Sequence, residues 1–317
     1  MINNPLSNYF ISFFGIVIGL TVFLIGTKLL STTFRTSVSF RLKALLQKTT
    51  SNKLLGVLIG IVATGLLQSS SATTIIVISL VHSGLITLYG AVPIIMGANI
   101  GTTITAQLVA FNFGESSPYL IALIIFFLFI FKAKNNKFAI NILLGLTLIF
   151  LGIEFISISI SSFKTVQFFT RLIVNIEDNR IISIFLGCII TATIQSSSTG
   201  IAILQIMASK GIISVSSALP IMLGQNIGTC ANTLVGSIAT NKVGKQAALI
   251  HIIFNVIGVI VFFFALDWLY NIVKLISPNN PGRQIANAHT LFNITSTFLL
   301  LPFSSVLVTI SKKIIRD

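Results

Sequence analysis

Asn52 to Gln107, NKLLGVLIGIVATGLLQSSSATTIIVISLVHSGLITLYGAVPIIMGANIGTTITAQ, aligns without gaps on Asn179 to Leu234, NRIISIFLGCIITATIQSSSTGIAILQIMASKGIISVSSALPIMLGQNIGTCANTL. The identities are densest in two places. Gln68-Ser69-Ser70-Ser71 recurs as Gln195-Ser196-Ser197-Ser198. Pro93-Ile94 and Gly97-x-Asn99-Ile100-Gly101-Thr102 recur as Pro220-Ile221 and Gly224-x-Asn226-Ile227-Gly228-Thr229. Upstream, Gly19-Leu20-Thr21 and Gly26 match Gly145-Leu146-Thr147 and Gly152, so the duplicated unit begins one apolar segment before each serine run.

The composition around these motifs assigns the solvent. Of 317 residues 54% are hydrophobic and 8% charged, too few charges for a hydrated surface. Phe10 to Leu30, Tyr119 to Phe131, Ile140 to Ile160 and Leu249 to Leu266 approach or exceed the helical length that crosses a hydrocarbon core about 30 Å thick. The first is not expected to be a cleaved leader, because Met1 to Tyr9 holds no Lys or Arg and the apolar run is longer than a leader's. The net charge of +14 sits in short loops rather than on one aromatic-laced face, which argues against nucleic acid as a partner and for the lipid bilayer. The basic clusters are Arg35 to Lys53, Lys132 to Lys137, Lys242 with Lys245, and Lys312 to Arg316. All four are expected on the cytoplasmic side of a plasma or inner membrane, with Glu115, Glu177, Asp178 and Asp267 opposite. That places the N-terminus outside and the C-terminus inside.

Leu54 to Leu67 and Ala72 to Val81 are too short to cross separately, so each unit is expected to hold a re-entrant helical hairpin with Gln-Ser-Ser-Ser at its tip. The glycines of Gly-x-Asn-Ile-Gly-Thr point to a broken transmembrane helix after each hairpin. Three crossings per unit then invert the second copy, and a last helix brings the total to about seven. The expected fold is an all-α integral membrane protein of two inverted repeats, residues 1–137 and 138–266, followed by an extracellular loop and C-terminal transmembrane helix over 267–317. Two hairpins meeting near the midplane from opposite faces form a transporter arrangement.

Unwound backbone survives in lipid only where it is shielded or lines a polar cavity. A helix starting after Gln-Ser-Ser-Ser aims free amides and its positive dipole end at the tip, which suits an oxyanion. The expected anion-binding residues are Gln68, Ser69, Ser70, Ser71 and Thr73, with Gln195, Ser196, Ser197, Ser198 and Thr199. A hard cation is expected on oxygens of Gln68, Ser70, Asn99, Thr102, Gln195, Ser197, Asn226 and Thr229. Small polar residues also serve plain helix packing, but packing rarely needs the same four residues twice. Glu154 lies within a span, where it either works or pairs locally. His251-x-x-Phe254-Asn255 and His289-x-x-Phe292-Asn293 place His and Asn on one helix face and are expected to bond between helices. Cys188 and Cys230 read as packing residues.

The paired motifs, with Ala248 to Asn255 and Ala286 to Asn293 after them, resemble the type II sodium-phosphate cotransporter family over nearly the whole chain. Ala286 to Asn293 resembles its bacterial branch. The resemblance implies sodium-coupled uptake of inorganic phosphate, sodium as coupling ion and no other cofactor, with both tips forming the site. It departs from the family in two places. No stretch up to Asp317 is expected to form the helical regulatory domain of many bacterial members, and Ala106 to Ser117 offers only Glu115, outside the acidic His-Asp-Cys-Phe-Asn pattern of some animal members. An enzyme is not expected, because no general base, paired carboxylate or metal cluster accompanies the serines. Transport or export of another small anion, or a non-transporting regulatory subunit, are the alternatives, and a homodimer is the assembly considered.

Overall fold

The computed structural model describes residues 5–47, 52–111, 124–128, 130, 131, 136–161 and 179–316. Their regular structure is helical throughout. Residues 119–123 and 129 of the span expected over Tyr119 to Phe131 lie outside the described residues, as do Glu115, Glu177 and Asp178; of that span 124–128, 130 and 131 are helical.

Helix α1 (Pro5–Gln47) packs along α5 (Lys137–Ile160) through a seam of the repeated glycines. Gly19 faces Gly152 and Gly26 faces Gly145, each with backbone where a Cβ would stand. The ascending order on one helix meets the descending order on the other, so these equivalent helices run antiparallel.

Both hairpins form as the sequence predicts. Helix α2 (Lys53–Leu67) starts where the Asn52 side chain accepts hydrogen bonds from the Leu54 and Leu55 amides, at 2.9 and 3.2 Å. Helix α6 (Arg180–Ile194) starts in the same way, with Asn179 accepting from Ile181 and Ile182 at 3.0 and 3.1 Å. Each arm has 15 residues, or about 22 Å at 1.5 Å per residue, short of a hydrocarbon core. The return arms are α3 (Ser70–His82) and α7 (Ser197–Ser209).

The break expected at the glycine motif is absent from the first copy and is a single residue in the second. Helix α4 (Leu88–Ala110) runs without a break through Gly97 to Thr102, with Pro93 inside it. In the second copy α8 (Val215–Gly228) passes into α9 (Cys230–Ser237) across Thr229, whose backbone stays helical. The glycines serve close approach instead of unwinding. A Cβ on Gly97 would land on the Val57 carbonyl oxygen of α2, and one on Gly224 on that of Ile184 of α6. Gly60 and Gly187 answer from the other side against Ile94 and Ile221, and Gly101 and Gly228 face Thr64 and Thr191. The same residues thus lock each hairpin to its following helix in both copies.

Helices α10 (Lys242–Phe264), α11 (Leu266–Ile276), α12 (Pro281–Leu300) and α13 (Ser304–Ile314) complete the described chain, with a bend of 83° between α12 and α13. Among the described residues four helical segments are long and apolar enough to cross a membrane, namely Phe10–Thr36 within α1, α4, α5 and α10, and α12 with α13 adds a fifth if the bent pair counts as one span. Helix α10 packs on the first hairpin. At its start, the Asn241 amide donates to His82 Nδ1 at 3.0 Å, at the end of α3. Past its other end, Asp267 of α11 forms an ion pair with Arg180, at the start of α6 in the second hairpin.

Candidate functional site

Each hairpin turns on one residue in the left-handed region, Gln68 at φ 50° and Gln195 at φ 58°, the two non-glycine residues with positive φ among the described ones. A side chain there costs roughly 1–2 kcal/mol, so the surroundings must hold it. Gln68 Nε2 donates to the Gly65 carbonyl at 2.6 Å, and its Oε1 accepts from Thr105 Oγ1 of α4 at 2.8 Å. The next residue caps the return arm. Ser69 Oγ accepts from the Ala72 amide at 3.2 Å and Ser196 Oγ from the Thr199 amide at 3.3 Å. The first serine of each run therefore builds the turn, while the amides at the helix start face the tip.

Asn232 of α9 joins the two tips. Its Nδ2 donates to Ser71 Oγ of the first run at 3.0 Å and to the Gln195 carbonyl of the second tip at 2.9 Å. Around this bridge each copy leans on the other. Gly236 of α9 abuts Ile75 of α3, and Gln205 Nε2 of α7 donates to the Ala106 carbonyl of α4 at 2.9 Å. Ser70 and Ser197 are buried, and Ser71 and Ser198 are half-buried.

Two expected ligands are turned inward. Thr73 Oγ1 bonds to the Ser69 carbonyl at 3.1 Å and accepts from Thr64 Oγ1 at 3.0 Å, stapling the arms together. Thr199 Oγ1 shares a 2.7 Å hydrogen bond with Ser196 Oγ.

Of the residues assigned to the cation, Asn99, Thr102, Asn226 and Thr229 are buried away from the tips, the two asparagines against the histidines. Thr102 and Thr229 hydroxyls bond back to Ala98 and Gln225 carbonyls at 3.2 and 2.9 Å. His251 Nε2 meets Asn99 Oδ1 at 3.3 Å and His289 Nε2 meets Asn226 Oδ1 at 3.3 Å. Each asparagine's Nδ2 is committed to its own helix, on Ile95 and Met222 carbonyls, so its Oδ1 accepts and the histidine donates. The expectation of bonds between helices from the two His-x-x-Phe-Asn segments is borne out. Asn99 and Asn226 oxygens are thereby occupied in this conformation, while Gln68, Ser71 and Gln195 are linked at the tips through Thr105 and Asn232.

Asn232, Thr105 and Gln205 were not singled out by sequence. A signal existed for the first two, because they hold the same register position in the aligned copies and both reach their own tip glutamine.

The family model described as Na+/Pi-cotransporter matches residues 22–158 and 162–277. A protein of Bacillus subtilis, YqeW, is 33% identical over 72% of this chain and 74% of its own length. YjbB of Salmonella typhimurium, named for inorganic phosphate export, is 26% identical over 92% of this chain and 54% of its own length. The chain thus spans about half the length of that relative. Human sodium-dependent phosphate transport protein 2B is 60% identical over a segment covering 22% of this chain and 10% of the human one. No solved structure matches the chain. With a family model covering most of its length and a relative matched over three quarters of theirs, the chain belongs to the Na+/Pi-cotransporter family.

Proposed function

We propose that this chain is a multi-pass secondary transporter that couples sodium to the uptake of inorganic phosphate, with both ions bound between the two hairpin tips. The observation that carries it is the Asn232 bridge. It holds two helix starts, each rich in free amides and hydroxyls, at one locus assembled from both copies. Phosphate would be held by amides and hydroxyls of Ser70, Ser71, Ser197 and Ser198, and sodium by tip oxygens, with Asn99 and Asn226 recruited when their histidines release them.

Inverted topology is part of the reading. The antiparallel seam between equivalent helices α1 and α5 supports a two-fold axis lying in the membrane plane. So do two bonds beyond opposite ends of α10, from its capping residue Asn241 to the first hairpin and from Asp267 of α11 to the second. Seven crossings follow if α8 and α9 form one span and the segment around 119–131 another, with the N-terminus outside and the C-terminus cytoplasmic.

The test is radiolabelled phosphate uptake into proteoliposomes under an inward sodium gradient, with choline replacing sodium in the control. Uptake that collapses in choline supports the reading; equal rates overturn the coupling. A second reading, phosphate export, is favoured by the YjbB name over most of this chain's length, and predicts efflux from phosphate-loaded liposomes without a sodium requirement.

A further inference from the structure

Residues 242–277, helices α10 and α11, align without gaps on residues 280–315, helices α12 and α13, with Gly244, Gln246 and His251 recurring as Gly282, Gln284 and His289. The structure keeps the correspondence. Gln246 Nε2 donates to the Ile315 carbonyl at 3.0 Å and Gln284 Nε2 to the Ser277 carbonyl at 2.7 Å, so one frame is built twice, at the start of α10 and at the start of α12. The frame at α12 is closed by its own polar side chains. Gln107 Nε2 of α4 donates to Asn287 Oδ1 at 3.1 Å and to Thr290 Oγ1 at 3.0 Å, and Asn287 Nδ2 donates to Ser277 Oγ at 3.0 Å. The Arg283 guanidinium lies over the Phe111 ring at 4.7 Å. In the frame at α10 the matching residues are Leu234, Leu249, Ile252, Ile315, Lys245 and Ile238, and all six line a cavity of about 260 Å³. The five aliphatic ones have no hydrogen bonds to make across the gap, and Leu234 and Ile238 are 48% and 68% exposed. Lys245 is exposed, makes no ion pair among the described residues, and has an isoleucine where Arg283 has a ring.

We propose that this cleft binds a membrane phospholipid with an anionic headgroup, an acyl chain against Leu234, Leu249 and Ile252 and the lipid phosphate on Lys245. Charge and depth match such a molecule. Lys245 lies one turn into α10, a helix able to cross the membrane, so its ammonium stands at headgroup level while the aliphatic wall continues deeper along the same helix. Lys242 and Arg316 add positive charge at this frame, where the closed one has Asn280 and Pro278. A free inorganic anion would gain nothing from five aliphatic side chains, whereas an acyl chain covers them. Placing the lipid in the cytoplasmic leaflet rests on the topology proposed above; the binding itself does not.

The experiment is equilibrium binding of radiolabelled phosphatidylglycerol to the delipidated full chain in nonionic detergent, with phosphatidylcholine as the neutral competitor. The unaltered chain is expected to hold phosphatidylglycerol in preference. Lys245→Met keeps the apolar stem of an exposed side chain and is expected to weaken phosphatidylglycerol roughly fivefold, leaving phosphatidylcholine unchanged. Leu234→Gln combined with Leu249→Asn and Ile252→Thr transplants the closing set of the other frame and is expected to remove the site. Arg283→Met, at the closed frame, is expected to leave it intact. Equal affinity for the two lipids in the unaltered chain overturns the proposal, as does a preference that survives in Lys245→Met. Radiolabelled inorganic phosphate that displaces the lipid from the unaltered chain but not from Lys245→Met makes this a free-anion site and also overturns it. So does a lipid-free dimer that dissociates in the triple variant, which puts a second copy on the cleft. Binding is read without any gradient, so a chain that fails to transport phosphate still answers the question.

Discussion

Replacing Asn232 with Ala cuts both hydrogen bonds that tie α9 to the tips, those to Ser71 Oγ and to the Gln195 carbonyl. Each is worth about 0.5–1.5 kcal/mol net, which bounds the loss at about 1–3 kcal/mol. Gln195 is exposed, so water replaces part of what its carbonyl loses, and the lower half of that range applies. About 1–2 kcal/mol corresponds to roughly 5- to 30-fold in an equilibrium constant. If the bridge sets the distance between the phosphate donors, that factor appears as weaker phosphate binding and slower uptake, with the melting temperature lowered by a few degrees at most. The double-mutant cycle with Ser71→Ala isolates the link across the copies, and a coupling of about 0.5–1.5 kcal/mol in phosphate affinity is expected. Thr105→Ala is the control, because Thr105 reaches only the tip of its own copy. Folded Asn232→Ala protein with unchanged phosphate affinity and rate would refute the idea that the two tips act as one site.

Gly97→Ala and Gly224→Ala each force apart a hairpin and its following helix, at about 1–3 kcal/mol or more, and should lower the melting temperature and the yield of monodisperse protein in detergent. Ser70→Trp should insert normally and lose phosphate uptake in proteoliposomes; normal rates in folded protein would exclude the tip as the site. Sodium and phosphate should raise each other's affinity by roughly 5- to 150-fold, about 1–3 kcal/mol, read by calorimetric phosphate titration at low and high sodium; indifference to sodium would break the shared site. Reporter fusions should read cytoplasmic after Arg316 and external before Pro5, and both on one side would break the inverted topology.

The hairpins were legible because two independent signals coincide at each. The arms are too short to cross, and the turn residues recur unchanged in a second copy. The helix break of the first copy was misread for a definite reason: a backbone about to unwind and a backbone about to touch another helix both call for glycine, and the sequence of Gly97 to Thr102 carries no partner. The nearest group to Gly97 is the Val57 carbonyl, a main-chain atom that no side-chain pattern reports. Asn232 was hidden differently. Its partner Ser71 lies 161 residues away, and the copies hold different polar residues at this register, Thr105 in one and Asn232 in the other. The histidine pairs were half legible, since their spacing along one face marked an inter-helix role without naming Asn99 and Asn226.

The glycine-lined contact between each hairpin and its following helix also bears on how the two halves have drifted since duplication. Lipid-facing positions have few constraints beyond being apolar, and there the copies differ freely, as at Leu54 and Ile181 or Leu58 and Phe185, all exposed. Gly60 and Gly187, Gly97 and Gly224, and Gly101 and Gly228 have not diverged, because any side chain there would have to displace main-chain atoms or a neighbouring threonine. Much of the resemblance between the halves is therefore a fossil of backbone spacing rather than of substrate contact. A motif search built on Gly-x-Asn-Ile-Gly-Thr would recover proteins that share this scaffold whatever they carry, and ligand preference would have to be sought where the halves disagree, at pairs such as Thr105 and Asn232 or Ile78 and Gln205.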